Sequence, residues 1–257
     1  MVIKVKKYIN AGIAIICAMI LLQILTELNV NFIINFKNLP SPSEVFLSLG
    51  QTLNLEFAKH IIYSLLRVLG GFSLAILIAL PLAALISEFS FFKNYIYPLL
   101  EIIRPIPLVA WVPLAIIMFA SLEKSILFIT TIGPLFPILI NTLHGIRDVP
   151  NEYIQAARSL GSNPLQIQTK IILPYALPFI FTGLKIGIGI SWIGVIAAEM
   201  ISGQFGIGYF TWVNYHLINY NNIIIGIMTI GILGYITTKL ISLIGNKIMP
   251  WYAYEKR

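Results

Sequence analysis

The chain has 257 residues, with 17 Lys and Arg against 10 Asp and Glu, a formal net charge of +7. Only 11% of residues are charged while 58% are apolar or aromatic, too few charges to cover a water-facing surface, so a soluble enzyme, a nucleic-acid binder and a disordered chain are all excluded. A single cysteine, Cys17, excludes an internal disulfide framework.

Taken in chain order, the apolar runs predict an all-α membrane protein with six spans, each close to the 20 residues needed to cross the hydrocarbon. The first is Tyr8–Leu28, behind the basic flank Lys4, Lys6 and Lys7. It is read as a retained anchor, because the apolar stretch is long and no small-residue cleavage site follows. Residues 29–61 form a long outer connection, in which Ser41 or Ser43 is placed to cap a short helix. The second span is Ile62–Ile86, with a kink expected near Pro81. Residues 87–104, rich in aromatics and charge, read as an interfacial helix. The third span is expected at Pro105–Ala120 and the fourth at Ile126–Leu143, both interrupted by prolines that neighbouring helices must compensate. The fifth is Ala176–Met200 and the sixth Ile223–Ile244. The whole of residues 1–257 reads as one transmembrane domain: an N-terminal span at 8–28, a core at about 62–246, and an inner loop at 144–175.

Charge then orients the bundle. With both termini in the cytoplasm, twelve of the seventeen cations fall on the inner side and four on the outer, Lys185 lying within a span. That is the distribution expected of cytoplasmic loops.

The inner loop predicts two short helices hinged at a glycine. Asn151 is placed to cap a helix beginning at Glu152, whose acid suits the helix N-terminus. Gly161 supplies the left-handed turn that stops it. Asn163, Pro164 and Gln166 begin a second helix as cap, first position and capping-box partner, and Pro174 is expected to end it. Ala156 and Ala157 leave the surface shallow enough to dock in a groove on another protein.

The run Gln155-Ala156-Ala157, Gly161, Ile171 and Leu173-Pro174 resembles the E-A-A-x3-G-x9-I-x-L-P loop of permease subunits of ABC importers, with Gln155 where Glu is usual. The resemblance implies that this loop, lying between the fourth and fifth spans and including Glu152, seats on a separate ATPase subunit and transmits its motion. It also implies an extracytoplasmic solute-binding protein and a second permease copy, commonly as a homodimer, in the cytoplasmic (inner) membrane. Further stretches look like the nitrate, sulfonate, taurine and bicarbonate subgroup. They are Pro40-Ser41-Pro42, His60, Ser64, Arg67 with Gly71-Phe72, Arg104-Pro105-Ile106-Pro107, Trp111 with Pro113, and Ala197-Ala198-Glu199-Met200. Gly206 to Trp212 leans toward the nitrate and bicarbonate branch. The cargo so implied is a small anion: nitrate, a sulfonate such as taurine, bicarbonate or cyanate. Alternatives are a pyrimidine or thiamine-precursor permease and a non-transporting scaffold.

The chain has no phosphate-cradling G-x-x-x-x-G-K-[ST], no H-E-x-x-H and no paired cysteines, so no catalytic residue, metal or cofactor is expected on it, and ATP hydrolysis is expected elsewhere. Lys185, Trp192 and Glu199 recur every seven residues and so share one helix stripe. Gly183, Gly187 and Ser191 form a small-residue packing face on another side. The polar stripe, together with Arg67, either borders a translocation path or is structural: Lys185 snorkelling or paired, Glu199 at headgroup level, Arg67 holding a carboxylate.

Overall fold

A computed structural model describes residues 2–28 and 39–254, all of whose regular elements are helical. In chain order they are α1 (Val2–Glu27), α2 (Pro42–Thr52), α3 (Leu55–Glu88), α4 (Tyr97–Ile103), α5 (Trp111–Met118), α6 (Leu122–Arg147), α7 (Asn151–Ser159), α8 (Pro164–Ile167), α9 (Leu173–Ser202), α10 (Ile207–His216), α11 (Tyr220–Ile248) and α12 (Pro250–Tyr254). Ser41 caps α2 through a reciprocal capping box with Glu44, and Pro42 fills the first turn.

Among the described residues four helices are long and apolar enough to span a membrane: α3, α6, the run Pro164–Ser202 that contains α9, and α11. Each contains a span expected from sequence and extends beyond it. α3 passes through Pro81 as one helix. The expected third span differs most. Phe92–Ile103 and Leu108–Met118 are two helical segments bent by 88°, so a fifth crossing exists only if this broken pair counts as one. Pro105 and Pro107 each remove a backbone donor within three residues, which no straight helix tolerates. Within α1 the apolar stretch is Gly12–Glu27, shorter than a full span. Residues 29–38 of the expected outer connection lie outside those described.

The centre is a three-helix pack of α3, α6 and α9. Small residues let these backbones approach, the usual device where lipid supplies no hydrophobic drive between helices. On α3 the row Ala75, Ala79, Ala83 is fully buried at four-residue spacing. Gly71 sits so close to Thr130 that a side chain there would overlap it. On α9 a Cβ at Gly183 would lie 2.9 Å from the Pro137 carbonyl oxygen, and one at Gly187 would lie 3.2 Å from both Ile138 and Pro134. Ser191 Oγ donates at 3.0 Å to the Thr130 carbonyl, which Pro134, lacking an amide hydrogen, cannot serve within α6. The expected packing face Gly183, Gly187, Ser191 is therefore the α6 contact. Outward faces are apolar: Leu66, Leu69 and Leu77 on α3 and Ile227, Ile232, Leu240 and Leu243 on α11 are all exposed, as in a protein whose surroundings are lipid.

Candidate functional site

At one end of the bundle, residues from four helices close around a buried ion pair. Glu199, near the end of α9, is 0% exposed, and Arg67, in the fourth turn of α3, is 7% exposed. Arg67 Nη1 donates to Glu199 Oε1 at 2.9 Å. Ser64, one turn before Arg67 on the same face, donates its hydroxyl to both Glu199 oxygens at 2.8 and 2.9 Å. The Gly208 amide donates to Glu199 Oε2 at 3.0 Å. Arg67 directs Nε to Glu123 Oε2 at 3.0 Å, a second bond to that carboxylate from Nη2, and another from Nη1 to the Phe205 carbonyl. Four of the five guanidinium hydrogens are thus spoken for, the arrangement that lets a charge pair survive burial.

The same cluster captures the turn that starts α10. Ser64 Oγ accepts from the Ile207 amide at 2.8 Å while His60 Nδ1 accepts from the Gly206 amide at 3.0 Å. This turn needs glycine twice: Gly203 has φ +69°, and Gly206 has φ +142°. A side chain at Gly206 would also overlap the Glu199 carboxylate. The His60, Ser64, Arg67, Gly71 spacing of four, three and four is one helix face, and all four residues are buried on it.

The opposite end carries the elbow; Glu88, which closes α3 there, is about 30 Å along the helix from Arg67. α7 begins one residue earlier than expected. Pro150, extended at φ −59° and ψ 131°, is the cap residue; Asn151 is inside the helix and makes no capping bond. Proline's fixed φ already provides the entry that Asn151 was expected to give. Gly161 has φ +80°. The crossed pair Ser162 N–H to Ala157 O and Gly161 N–H to Arg158 O, both 3.0 Å, closes the helix as a Schellman motif. Asn163 and Gln166 form the expected reciprocal box at 2.8 and 3.0 Å. Pro174 does not end the second helix. α8 runs through a π-helical turn, Gln168–Ile172, directly into α9. The wider turn just before Pro174 accommodates the missing amide and the bulk of the ring. The elbow is consequently one end of a continuous 39-residue helix, Pro164–Ser202.

Glu152, Gln155 and Ala156 are exposed, Ala157 is buried, and Ile171 and Pro174 are half-buried. Three apolar side chains point outward: Leu160 is 86% exposed, Leu165 70% and Tyr153 57%. Gln168 Nε2 donates to Glu88 Oε2 at 2.9 Å, tying the elbow to the end of α3.

Of the residues expected either to border a translocation path or to be structural, three lie inside the bundle of this chain. Arg67 and Glu199 face each other in the interior, and Trp192, 3% exposed, donates its indole N–H to Thr237 on α11 at 3.1 Å. Only Lys185 of the four is half-buried without a partner among the described residues. Sequence reasoning missed Glu123 as the second acid on Arg67. The spacing of His60, Ser64 and Arg67 carried that cluster's signal, and nothing local pointed to an acid 56 residues away.

The profile of the family described as "binding-protein-dependent transport system inner membrane component" matches residues 71–250. A nitrate import permease protein of Synechocystis sp. is 37% identical over 226 residues, covering 83% of this chain and 81% of that protein. A bicarbonate transport system permease protein of Synechococcus elongatus is 38% identical over 182 residues, covering 70% of this chain and 66% of its own. Among solved structures, an inward-facing methionine ABC transporter aligns with TM-score 0.60 and 22% identity over 78% of this chain and 97% of the other, a likeness of fold.

Proposed function

Because the chain belongs to the inner-membrane-component family of binding-protein-dependent transport systems, the permease subunits of ABC transporters, we propose that it forms the membrane path of an importer for a small oxyanion, nitrate or bicarbonate in the first place. One observation carries the mechanism: the elbow is closed by its own backbone and capping bonds, carries exposed apolar side chains at Tyr153, Leu160 and Leu165, and is continuous with α9. Glu152, Gln155, Ala156, Ala157 and Gly161 form the part that seats on an ATPase subunit, and Ile171 and Pro174 lie where its motion enters the membrane. Leu160 and Leu165 supply the apolar contact, since side chains this exposed at a polar end of the bundle cost nothing only when covered by a partner. Closure of the ATPase pair on ATP would push α8 and α9 as one lever against α6 and, through Gln168 and Glu88, α3.

The rest of the assembly is part of the same proposal. The working unit has six spans with α1 as the sixth, both termini in the cytoplasm, one transmembrane domain over residues 1–257, a second copy of the chain and a solute-binding protein at the Arg67 end. In this unit the Arg67–Glu199 pair and Trp192 hold the end of α9 in place. The test is reconstitution with the ATPase and binding-protein chains: labelled nitrate or bicarbonate should accumulate in vesicles only with ATP. Accumulation of a neutral pyrimidine and neither anion would reject the cargo. Cysteines at Ser162 and Tyr209, labelled from opposite faces of the membrane, test the orientation.

A further inference from the structure

Arg67 is not the cation that a permeating anion would meet, because two carboxylates already neutralise it. A different arginine is open. The break between α4 and α5 lines a cleft of about 410 Å³ whose walls are Arg104 and Trp111 from the break, Gly133 and Asn141 from α6, and Ile186 and Ile190 from α9. The break is fixed by Leu108. Its side chain lodges in a notch made by two glycines, since a Cβ at Gly133 or at Gly194 would each lie 2.9 Å from Leu108 Cδ2. By the 1.5 Å rise of α6, the cleft lies about 14 to 27 Å below Glu123, between Ile132 and Asn141, so it is within the span. Broken backbone at such depth occurs where it is buried in protein or lines a water-filled cavity.

The chemistry of the lining selects charge. No Asp or Glu lines the cleft. Arg104 makes no side-chain hydrogen bond or ion pair among the described residues, and neither does the indole N–H of Trp111. Asn141 spends its amide N–H on the Pro137 carbonyl at 2.8 Å. What remains is a planar fork of guanidinium donors, one indole donor and the second amide hydrogen of Asn141, above apolar walls. Such a lining binds a small planar oxyanion through parallel N–H···O bonds and rejects cations. The polar cleft at the other end of α3, lined by Glu56, Asn54, Asn214 and Asn222 without any Lys or Arg, has the opposite character.

We propose that the cleft at the α4–α5 break is an oxyanion subsite of the transport path, with Arg104 as its charged contact and Trp111 as its second donor. This rests on the oxyanion-importer reading above and names the residues that would recognise the cargo. A lipid phosphate offers the same oxygens, so the test must separate the two sources.

In a Cys17→Ser background, the full complex with Arg104→Cys is reconstituted into vesicles of digalactosyldiacylglycerol, a lipid without phosphate, and uptake of labelled nitrate is measured. The expected result is a loss of at least tenfold. Treatment with 2-aminoethyl methanethiosulfonate, which places an ammonium on the thiol, should restore uptake several-fold, whereas the neutral methyl reagent should not. Undiminished uptake in Arg104→Cys, or equal rescue by both reagents, overturns the proposal. A loss seen only when phosphatidylglycerol is added assigns the subsite to lipid and also overturns it. If Arg104→Cys fails to assemble, Trp111→Phe decides, because it keeps the ring and removes the donor. A several-fold rise in KM for nitrate is then expected, and an unchanged KM is fatal. Absence of both nitrate and bicarbonate uptake in the Cys17→Ser parent would instead remove the importer reading itself.

Discussion

The two ends of α3 show opposite uses of polar chemistry. At the Arg67 end the buried charges are answered within the chain: Glu199 receives Arg67, Ser64 and the Gly208 amide, and Glu123 receives the rest of the guanidinium. At the Glu88 end the backbone is satisfied by caps and a Schellman closure, but Leu160, Leu165 and Tyr153 are left to solvent. A closed cluster stabilises one arrangement of helices. A rigid surface with uncovered apolar side chains is built for contact with something else. Variants at the first end should therefore damage the isolated permease, and variants at the second should damage it little while weakening its assembly.

The largest effect is expected from Glu199→Leu. It leaves Arg67 with one carboxylate and strands the Ser64 hydroxyl and the Gly208 amide in the interior. Breaking a buried, hydrogen-bonded pair from one side costs about 3–5 kcal/mol. The unfolding temperature of the purified permease, followed by size-exclusion chromatography after heating, should fall sharply. Gly206→Ala should be comparably damaging, because it forces φ +142° on an L-residue and drives a methyl into the Glu199 carboxylate. A Glu199→Leu permease that melts with the parent would show that the cluster does not hold the fold.

Next is Gly161→Val. No atom lies within 4 Å of a Cβ built there, so the effect is backbone strain alone, at φ +80°. A β-branched residue in this region costs about 1–2 kcal/mol. The strain is confined to the elbow, so insertion and the melting of the bundle should change little. Substrate-stimulated ATP hydrolysis should drop at least fivefold. Normal coupling in this variant would remove the elbow as the transmission element.

These two ends were not equally readable in the sequence, for a physical reason. Helix caps are local: Asn163 meets Gln166 three residues on, and Gly161 closes a helix ending at Ser159, so the elbow could be drawn from consecutive residues. The cluster joins Arg67 to acids 56 and 132 residues away and His60 to a turn 146 residues away, and no spacing rule says which acid will meet Arg67. The packing face of α9 was readable because small residues at four-residue spacing have one main use. Prolines were readable only in part. Pro105 and Pro107 were read as interrupting a span, and they do so by turning the chain 88°, while Pro174 was read as a stop and is absorbed by a π-helical turn. A proline reports that one hydrogen bond is missing, and tertiary neighbours decide whether the helix breaks or widens.

A third test separates the two limbs of the cluster. Glu123 is 56% exposed at its side chain, whereas Glu199 is 0% exposed. An exposed ion pair contributes about 1 kcal/mol or less and is screened by salt. Glu123→Gln should lower the melting temperature by much less than Glu199→Leu, and the difference from the parent should shrink at high ionic strength. A loss as large as that of Glu199→Leu would mean that both acids are needed to hold Arg67.

The smallest effect on the isolated chain is expected from Leu160→Ser, and it is the sharpest test of the contrast. Leu160 is 86% exposed, so removing its side chain gives up almost no packing within the protomer. Substitutions at such positions stay within about 0.5 kcal/mol of the parent. If the elbow seats on an ATPase, however, this leucine is buried in the assembled complex. Covering a leucine is worth about 1.5–3 kcal/mol. The serine variant should then melt with the parent yet bind the ATPase subunit at least tenfold more weakly, measured by titrating purified ATPase onto permease in nanodiscs. Leu165→Ser, also exposed, should act in the same direction. Equal affinity in both variants would mean that the ATPase grips the polar face, Glu152 and Gln155, and that the exposed apolar residues face headgroups.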